Sequence, residues 1–114
     1  MPDYATTVPG FPRLGQGRRY KKLLDGYWSG TRTHDAFVEG MTALRAERLM
    51  VQATAGLDLI PCGDFSLYDH VLDTAIMFGC IPERFGWRGG PIDLGLYFAM
   101  ARDGLFFARV GWID

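Results

Sequence analysis

Apolar and polar positions alternate with a helical period over residues 18–28. Hydrophobic and aromatic side chains recur three and four residues apart, with charged side chains on the opposite side, which predicts an amphipathic helix. The Ser29-Gly30 pair that follows is suited to end it. The inward-facing positions of this predicted helix are Tyr20, Leu23, Leu24, Tyr27 and Trp28.

A second, longer apolar stripe follows. It contains Phe37, Met41, Leu44, Val51 and Ala55, and Arg48 interrupts it. Thr31 or Thr33 can cap this helix at its start, and Gly56 is suited to end it. Arg48 is expected to run its aliphatic stem along the stripe while its head reaches water or a carboxylate.

Two short segments read as strands rather than helices. Residues 5–8 are rich in residues that favour strands, and residues 57–64 form an apolar run without strict alternation, which is typical of a strand buried on both faces of a parallel sheet. Further helices are expected after a capping-box pattern at Ser66–Asp69 and over residues 91–102. This order predicts an α/β fold, specifically the first two strands and helices of a (βα)8 barrel.

Composition and charge narrow the function. The chain has 114 residues and a net charge of −1, which gives no overall attraction to nucleic acid or to anionic membranes. No apolar run is long enough to cross a bilayer, and no secretion signal precedes the first strand. Two cysteines, Cys62 and Cys80, lack metal-type spacing and are expected to be buried, inert thiols. A cytoplasmic protein is therefore expected.

Local charge is the exception to this near-neutral balance. The glycine-rich turn at residues 10–17 leads into a helix that opens with four cations in five positions, Arg18, Arg19, Lys21 and Lys22. Cations at a helix start oppose the helix dipole, which suggests that they hold an anion. A phosphate-binding P-loop is excluded because the Gly-Lys-Ser/Thr ending is missing. A solvated helix face is the alternative interpretation.

Asp64 and His70 are candidate polar contacts to a substrate, because they follow the second predicted strand at the end where α/β folds bind ligands. His70 could also act with Asp69, Asp73 or Asp64 as a metal ligand. No second His or Cys stands at ligand spacing, so no metal site is predicted. The alternative is that Ser66 and Asp69 cap a helix and His70 makes a core hydrogen bond.

Several longer motifs occur in the same order as in one known family. They are Gly10-Phe11-Pro12-Arg13-Leu14-Gly15, Arg18-Arg19-Tyr20-Lys21-Lys22, Asp58-Leu59-Ile60-Pro61, Gly63-Asp64-Phe65-Ser66-Leu67-Tyr68-Asp69-His70 and Ile81-Pro82-Glu83-Arg84-Phe85. This pattern resembles the N-terminal part of cobalamin-independent methionine synthase, the 5-methyltetrahydropteroyltriglutamate–homocysteine S-methyltransferase. The resemblance covers roughly residues 5–102, and several long motifs in order make it specific.

The resemblance implies a methyl transfer from a folate with a triglutamate tail to the thiolate of homocysteine, on two (βα)8 barrels. It implies a zinc ion on the C-terminal barrel, so neither a metal ligand nor a catalytic residue is expected here. Arg18 and Lys21 match the family's Arg-x-x-Lys motif, which grips the folate, with Arg19 and Tyr20 inside the same segment. Those two replace the usual Glu-Leu, which should leave the cluster more cationic.

Residues 1–102 are accordingly assigned to the folate-binding barrel, and residues 103–114 to a divergent C-terminal tail. The chain is expected to be a truncated copy that does not catalyse methyl transfer alone. One hypothesis makes it part of an enzyme that works only with the missing remainder. The alternative is a stand-alone folate-polyglutamate binding or interaction module, or a remnant without a role.

Overall fold

The computed structural model describes residues 3–102, and they divide into two compact units after Phe65. The predicted tail at residues 103–114 lies outside the described residues. The first unit contains helices α1 (Arg19–Trp28) and α2 (His34–Thr54), and the second contains α3 (His70–Met77) and α4 (Leu94–Ala101). Short 3-10 turns occupy Gln16–Arg18 and Glu83–Phe85. Within residues 3–102, no helix combines the length and apolar character needed to cross a membrane.

Helix α1 packs against α2 through the face that the sequence predicts. Tyr20, Leu23 and Leu24 of α1 are buried, as are Phe37 and Met41 of α2. Burial of such side chains is the main favourable contribution to folding, at roughly 1.5–3 kcal/mol each. The prediction of two amphipathic helices is confirmed in this unit.

Thr33, rather than Thr31, caps helix α2. Its side-chain oxygen accepts a hydrogen bond from the backbone N–H of Ala36 at 3.2 Å, which satisfies a donor that the first helical turn leaves free. The hydroxyl of Thr31 instead donates to the carbonyl of Gly26, at the end of α1. Gly56 follows α2 with a φ of 87°, as expected of a helix-ending glycine.

The apolar stripe of α2 is buried only in its first half. Leu44 is buried, whereas Val51 and Ala55 are exposed, so that part of the predicted stripe is wrong. Helix α1 has 10 residues and α2 has 21, which correspond to about 15 and 31 Å, so α1 can cover only half of its partner. Arg48 behaves as predicted, since its guanidinium lies 2.7 Å from the Glu47 carboxylate while the side chain is largely covered.

Neither predicted strand forms, and residues 3–102 contain no strand. The predicted α/β fold, a partial (βα)8 barrel, is therefore wrong, and the described part of the chain is helical. The two segments do meet at one point, where the N–H groups of Asp58 and Leu59 donate to the carbonyl of Thr6 at 3.1 and 3.0 Å. In return, the Asp58 carboxylate accepts a hydrogen bond from the N–H of Thr6 at 2.8 Å.

Two features explain why this contact does not extend into a ladder. An Asp58 side-chain oxygen, instead of a backbone carbonyl, accepts the Thr6 N–H, so the second rung of a sheet is missing. Pro9 and Pro61 lack the N–H that further rungs would require. A single pair of strands is at best marginally stable, and no third segment pairs with them among residues 3–102.

The second unit is held by helix caps and a buried tyrosine. Asp69 and Asp93 cap α3 and α4, accepting from the N–H groups of Leu72 and Leu96 at 2.9 and 2.8 Å. The hydroxyl of Tyr97 donates to the Asp73 carboxylate at 2.7 Å and thus joins α4 to α3. Burial raises the pKa of the Tyr97 hydroxyl, which keeps it a neutral donor.

Two smaller predictions in this region are wrong. Ser66 does not cap α3; its hydroxyl accepts from the N–H of Tyr68, and Asp69 takes the capping position. Cys62 and Cys80 are both exposed free thiols rather than buried ones. Cys62 was expected to be buried in the second strand, and without that strand no sheet covers it.

Candidate functional site

The cationic turn of the first unit is built on unusual backbone geometry. Gly15 and Gly17 have φ values of 74° and 66°, a region that favours glycine. A Cβ atom on Gly15 would lie 2.8 Å from Cδ1 of Leu44, so the turn lies directly against α2. The N–H of Tyr20 closes the turn by donating to the carbonyl of Leu14 at 2.9 Å.

Arg18 stands between this turn and helix α1 in a left-handed conformation. Its φ is 57°, the only positive φ of a non-glycine residue within residues 3–102. For an L-residue this conformation costs roughly 1–2 kcal/mol. Such strain persists where the surrounding structure imposes it and clusters at binding sites. The Arg18 side chain is thereby presented from the N-cap position of α1.

Arg18 and Lys21 line the same cavity, and their predicted role in binding a folate stays a prediction. With Lys22 and Asp25 they line a shallow cavity of about 120 Å³. The ammonium of Lys21 lies 2.9 Å from the Asp25 carboxylate, one helical turn further along, and both side chains are about half exposed. Three cations and one carboxylate leave an excess of positive charge at this cavity, which suits an anion.

Arg19 and Tyr20 point away from this cavity. The guanidinium of Arg19 forms an ion pair with Glu47 of α2. Hydrogen bonds from Arg19 and then from Arg48 lower the pKa of the Glu47 carboxyl, so that it stays charged. The ring of Tyr20 is buried and nearly perpendicular to the ring of Phe65, at a centroid distance of 6.1 Å.

Asp64 contacts the backbone at the start of the glycine-rich turn. Its Oδ2 accepts the N–H of Phe11 at 2.8 Å, and a Cβ atom on Gly10 would lie 3.2 Å from its Oδ1. The glycine therefore lets the carboxylate approach the backbone closely. The predicted contact between Asp64 and a substrate is not tested by this arrangement and stays a prediction.

His70 is exposed at the start of α3, in the second unit, and its predicted substrate contact also stays a prediction. Its acidic neighbours are engaged elsewhere, Asp69 in the helix cap and Asp73 with Tyr97. Within residues 3–102, no three His, Cys, Asp or Glu side chains are grouped so that they could hold a metal ion. The zinc ion that the family resemblance implies does not fit the described residues.

The sequence did not reveal the internal carboxylates that hold two of the cations. Asp25 could have been found, because it stands four residues after Lys21 on the same helix, the spacing of a stabilising pair. Glu47 lies 28 residues from Arg19, and only the packing of α1 on α2 brings the two together. No local signal predicts that pair.

Known proteins similar to this chain agree on one family. Residues 5–106 match the model of the cobalamin-independent synthase, N-terminal domain. A 5-methyltetrahydropteroyltriglutamate–homocysteine methyltransferase of Caulobacter vibrioides is 52% identical over 93 residues, which are 82% of this chain and 12% of that protein. Proteins with the same name from Streptococcus mutans and Halalkalibacterium halodurans are 52% and 50% identical, over 82% and 85% of this chain. The chain spans about one eighth of the length of these relatives.

Proposed function

Because this chain belongs to the cobalamin-independent synthase family, through its N-terminal domain, we propose that its cationic turn binds the glutamate tail of a folate methyl donor. The relatives are named for 5-methyltetrahydropteroyltriglutamate, whose tail carries several carboxylates. An excess of cations at one shallow cavity is the chemistry that recognises such a tail.

The left-handed Arg18 is the observation that supports this proposal best. A folded chain retains a strained backbone where other contacts impose it, and here Gly15, Gly17 and the Tyr20–Leu14 hydrogen bond do so. The result is a guanidinium without a hydrogen bond or ion pair to any residue in the range 3–102. Its planar fork is suited to a carboxylate.

Lys21 can join Arg18 because its present partner is easily replaced. Exposed ion pairs such as Lys21–Asp25 contribute only about 0–1 kcal/mol. A ligand carboxylate already held by Arg18 competes for the same ammonium at little cost. Arg19 and Tyr20 then act indirectly, Arg19 by joining the turn to α2 and Tyr20 by anchoring α1 in the core.

Methyl transfer to homocysteine is proposed for the longer relatives' complete machinery and not for this chain alone. Residues 3–102 contain no group of three metal ligands for the zinc implied by the family, whereas they do contain a cationic cavity suited to an anionic tail. This chain would therefore contribute the binding of the glutamate tail of the folate methyl donor. Two free, exposed thiols suit a reducing compartment, which supports the cytoplasm as the place of this binding.

A titration of the 114-residue chain with folates of different tail length tests the proposal. We expect 5-methyltetrahydropteroyltriglutamate to bind more tightly than the monoglutamate form in calorimetry. Arg18→Ala and Lys21→Ala should each weaken triglutamate binding by about tenfold, the effect of losing one charge-assisted hydrogen bond. Arg45→Ala is the matched control, because Arg45 is exposed on α2 and does not line this cavity. Equal affinity for both tail lengths would argue against the tail as the recognised group.

A further inference from the structure

A second cavity of the first unit is lined by residues of both α1 and α2. Its volume is about 310 Å³, at the lower end of the range for small-molecule sites. The apolar part of its lining includes Leu23, Ala43 and Leu44, and its cationic part consists of Arg19, Lys22 and Arg32. An apolar floor with a rim of a single charge sign distinguishes it from the cavity at Arg18.

Two of the three cations at this rim have no side-chain partner within residues 3–102. Arg19 is paired with Glu47, but the side chains of Lys22 and Arg32 make neither a hydrogen bond nor an ion pair with any residue from 3 to 102. Two unpaired cations at one rim repel each other, and an anion between them would remove that repulsion. The charge at this rim is therefore complementary to an anionic ligand.

The walls of the cavity are fixed by a close approach of the two helices. Gly40 of α2 faces Leu23 of α1, and a Cβ atom on Gly40 would lie only 2.5 Å from Cδ2 of Leu23. The absence of a side chain at Gly40 thus allows the helices to approach beside the cavity. Leu44 is buried at its floor, which leaves an apolar surface beneath the cationic rim.

We propose that this cavity binds a small amphipathic anion, with its charged group between Lys22 and Arg32 and its apolar part against Leu23 and Leu44. The apolar floor disfavours a purely polar ligand such as free phosphate, and the rim disfavours a neutral one. This site is distinct from the proposed tail site. Arg32 and Ala43 line only this cavity, Arg18 and Lys21 line only the other, and Lys22 borders both.

Fluorine NMR with 4-fluorobenzoate as the probe tests this site on the complete 114-residue chain. We expect binding with a dissociation constant on the order of millimolar, as befits a ligand of about ten heavy atoms. Arg32→Gln should weaken it by about tenfold, and Arg32→Lys, which keeps the charge, by less. Ala43→Leu should abolish it by filling the cavity. Ala43 is exposed on α2 and leucine favours helices, so the fold is retained, which circular dichroism checks.

The controls separate this site from the tail site. Arg45→Gln and Arg18→Gln should leave 4-fluorobenzoate binding unchanged, and neutral 4-fluorobenzyl alcohol should bind at least several-fold more weakly. The proposal is overturned if the folded Arg32→Gln and Ala43→Leu variants bind the probe like the original chain, or if the alcohol binds equally well. Loss of probe binding in Arg18→Gln alone would assign the anion to the tail site instead.

Discussion

Gly15 and Gly17 both have positive φ values, yet only Gly15 faces another side chain. A Cβ atom on Gly15 would lie 2.8 Å from Cδ1 of Leu44, a residue that is 1% exposed and has little room to move. Apart from its chain neighbours, no heavy atom of the described residues lies within 4 Å of the same position on Gly17. Their backbone conformations also differ, because Gly15 has a ψ of 167°, in a region that essentially only glycine adopts, and Gly17 has a ψ of 21°, near the left-handed helical region. Gly15 should therefore tolerate a side chain less well than Gly17, for both strain and crowding.

Gly15→Ala is expected to lower the free energy of unfolding by roughly 2–6 kcal/mol, from backbone strain and overpacking together. Gly17→Ala should cost only the strain, roughly 1–2 kcal/mol. Urea denaturation of both variants measures the difference. Equal losses would mean that neither the backbone conformation of Gly15 nor its contact with Leu44 adds a cost beyond that of Gly17.

At the scale of single residues, the residue types of the turn reveal its charge but not its backbone conformation. The cations of the turn could be read from the sequence because their chemistry is a property of the side chains. The left-handed conformation of Arg18 could not be predicted, since arginine ordinarily avoids that region. The two glycines that precede it, Gly15 and Gly17, are the one local signal of unusual backbone geometry. The Arg19–Glu47 pair was equally hidden, because it depends on how two helices pack.

At the scale of elements, the helices could be predicted and the strands could not. The 3.6-residue repeat and the end signals of α1 and α2 are local, so the predicted helices lie within two residues of the observed ones. A strand depends on a partner, and among residues 3–102 the backbone–backbone hydrogen bonds between the two predicted strands are limited to those of Asp58 and Leu59 with Thr6. The strand-favouring residues of these segments therefore form no strand, because no ladder of backbone hydrogen bonds supports one within residues 3–102.

The contact between Thr6 and Asp58 should respond to pH. The backbone N–H of Thr6, and secondarily its hydroxyl, lower the pKa of the Asp58 carboxyl below its ordinary value of 3.8. The stabilisation of the fold by this contact is complete above pH 3.8, where the carboxylate is charged in both the folded and the unfolded chain. It is lost as the pH falls through the lowered pKa of Asp58. An NMR titration of the Asp58 carboxyl carbon should accordingly find a midpoint below 3.8.

Thr6→Val removes the hydroxyl, which donates to the Asp58 carboxylate and accepts from the N–H of Asp58, and it keeps the larger backbone contribution. The midpoint of Asp58 should therefore rise part of the way toward its ordinary value. Thr7→Val, at the adjacent exposed position, is the matched control and should leave the midpoint where it was. A midpoint that is identical in the Thr6→Val variant would exclude the hydroxyl from the contact.

At the scale of the whole molecule, each unit is stabilised by its own contacts. Helices α1 and α2 pack on each other in the first, and the Tyr97–Asp73 hydrogen bond joins α4 to α3 in the second. The family could be identified from the sequence because long motifs keep their order even where no sheet forms. The fold inferred from that family was wrong for the described residues, since a barrel requires strands paired all around.

This distinction between family and activity leads to a prediction about catalysis. The chain matches about 12% of the length of the methyltransferases that it resembles, and its described residues hold no group of metal ligands. We therefore expect no methionine from 5-methyltetrahydropteroyltriglutamate and homocysteine when the 114-residue chain is assayed alone with added zinc. The Caulobacter vibrioides relative, assayed in parallel, is the positive control.

The binding measurement makes a negative assay interpretable. A preparation that distinguishes triglutamate from monoglutamate folate, yet forms no methionine, would show that tail recognition and methyl transfer reside in separable parts of the family's architecture. Zinc-dependent turnover by the isolated chain would contradict this division. It would require three ligands for the metal to be assembled by a route that residues 3–102 do not provide, for example between several copies of the chain.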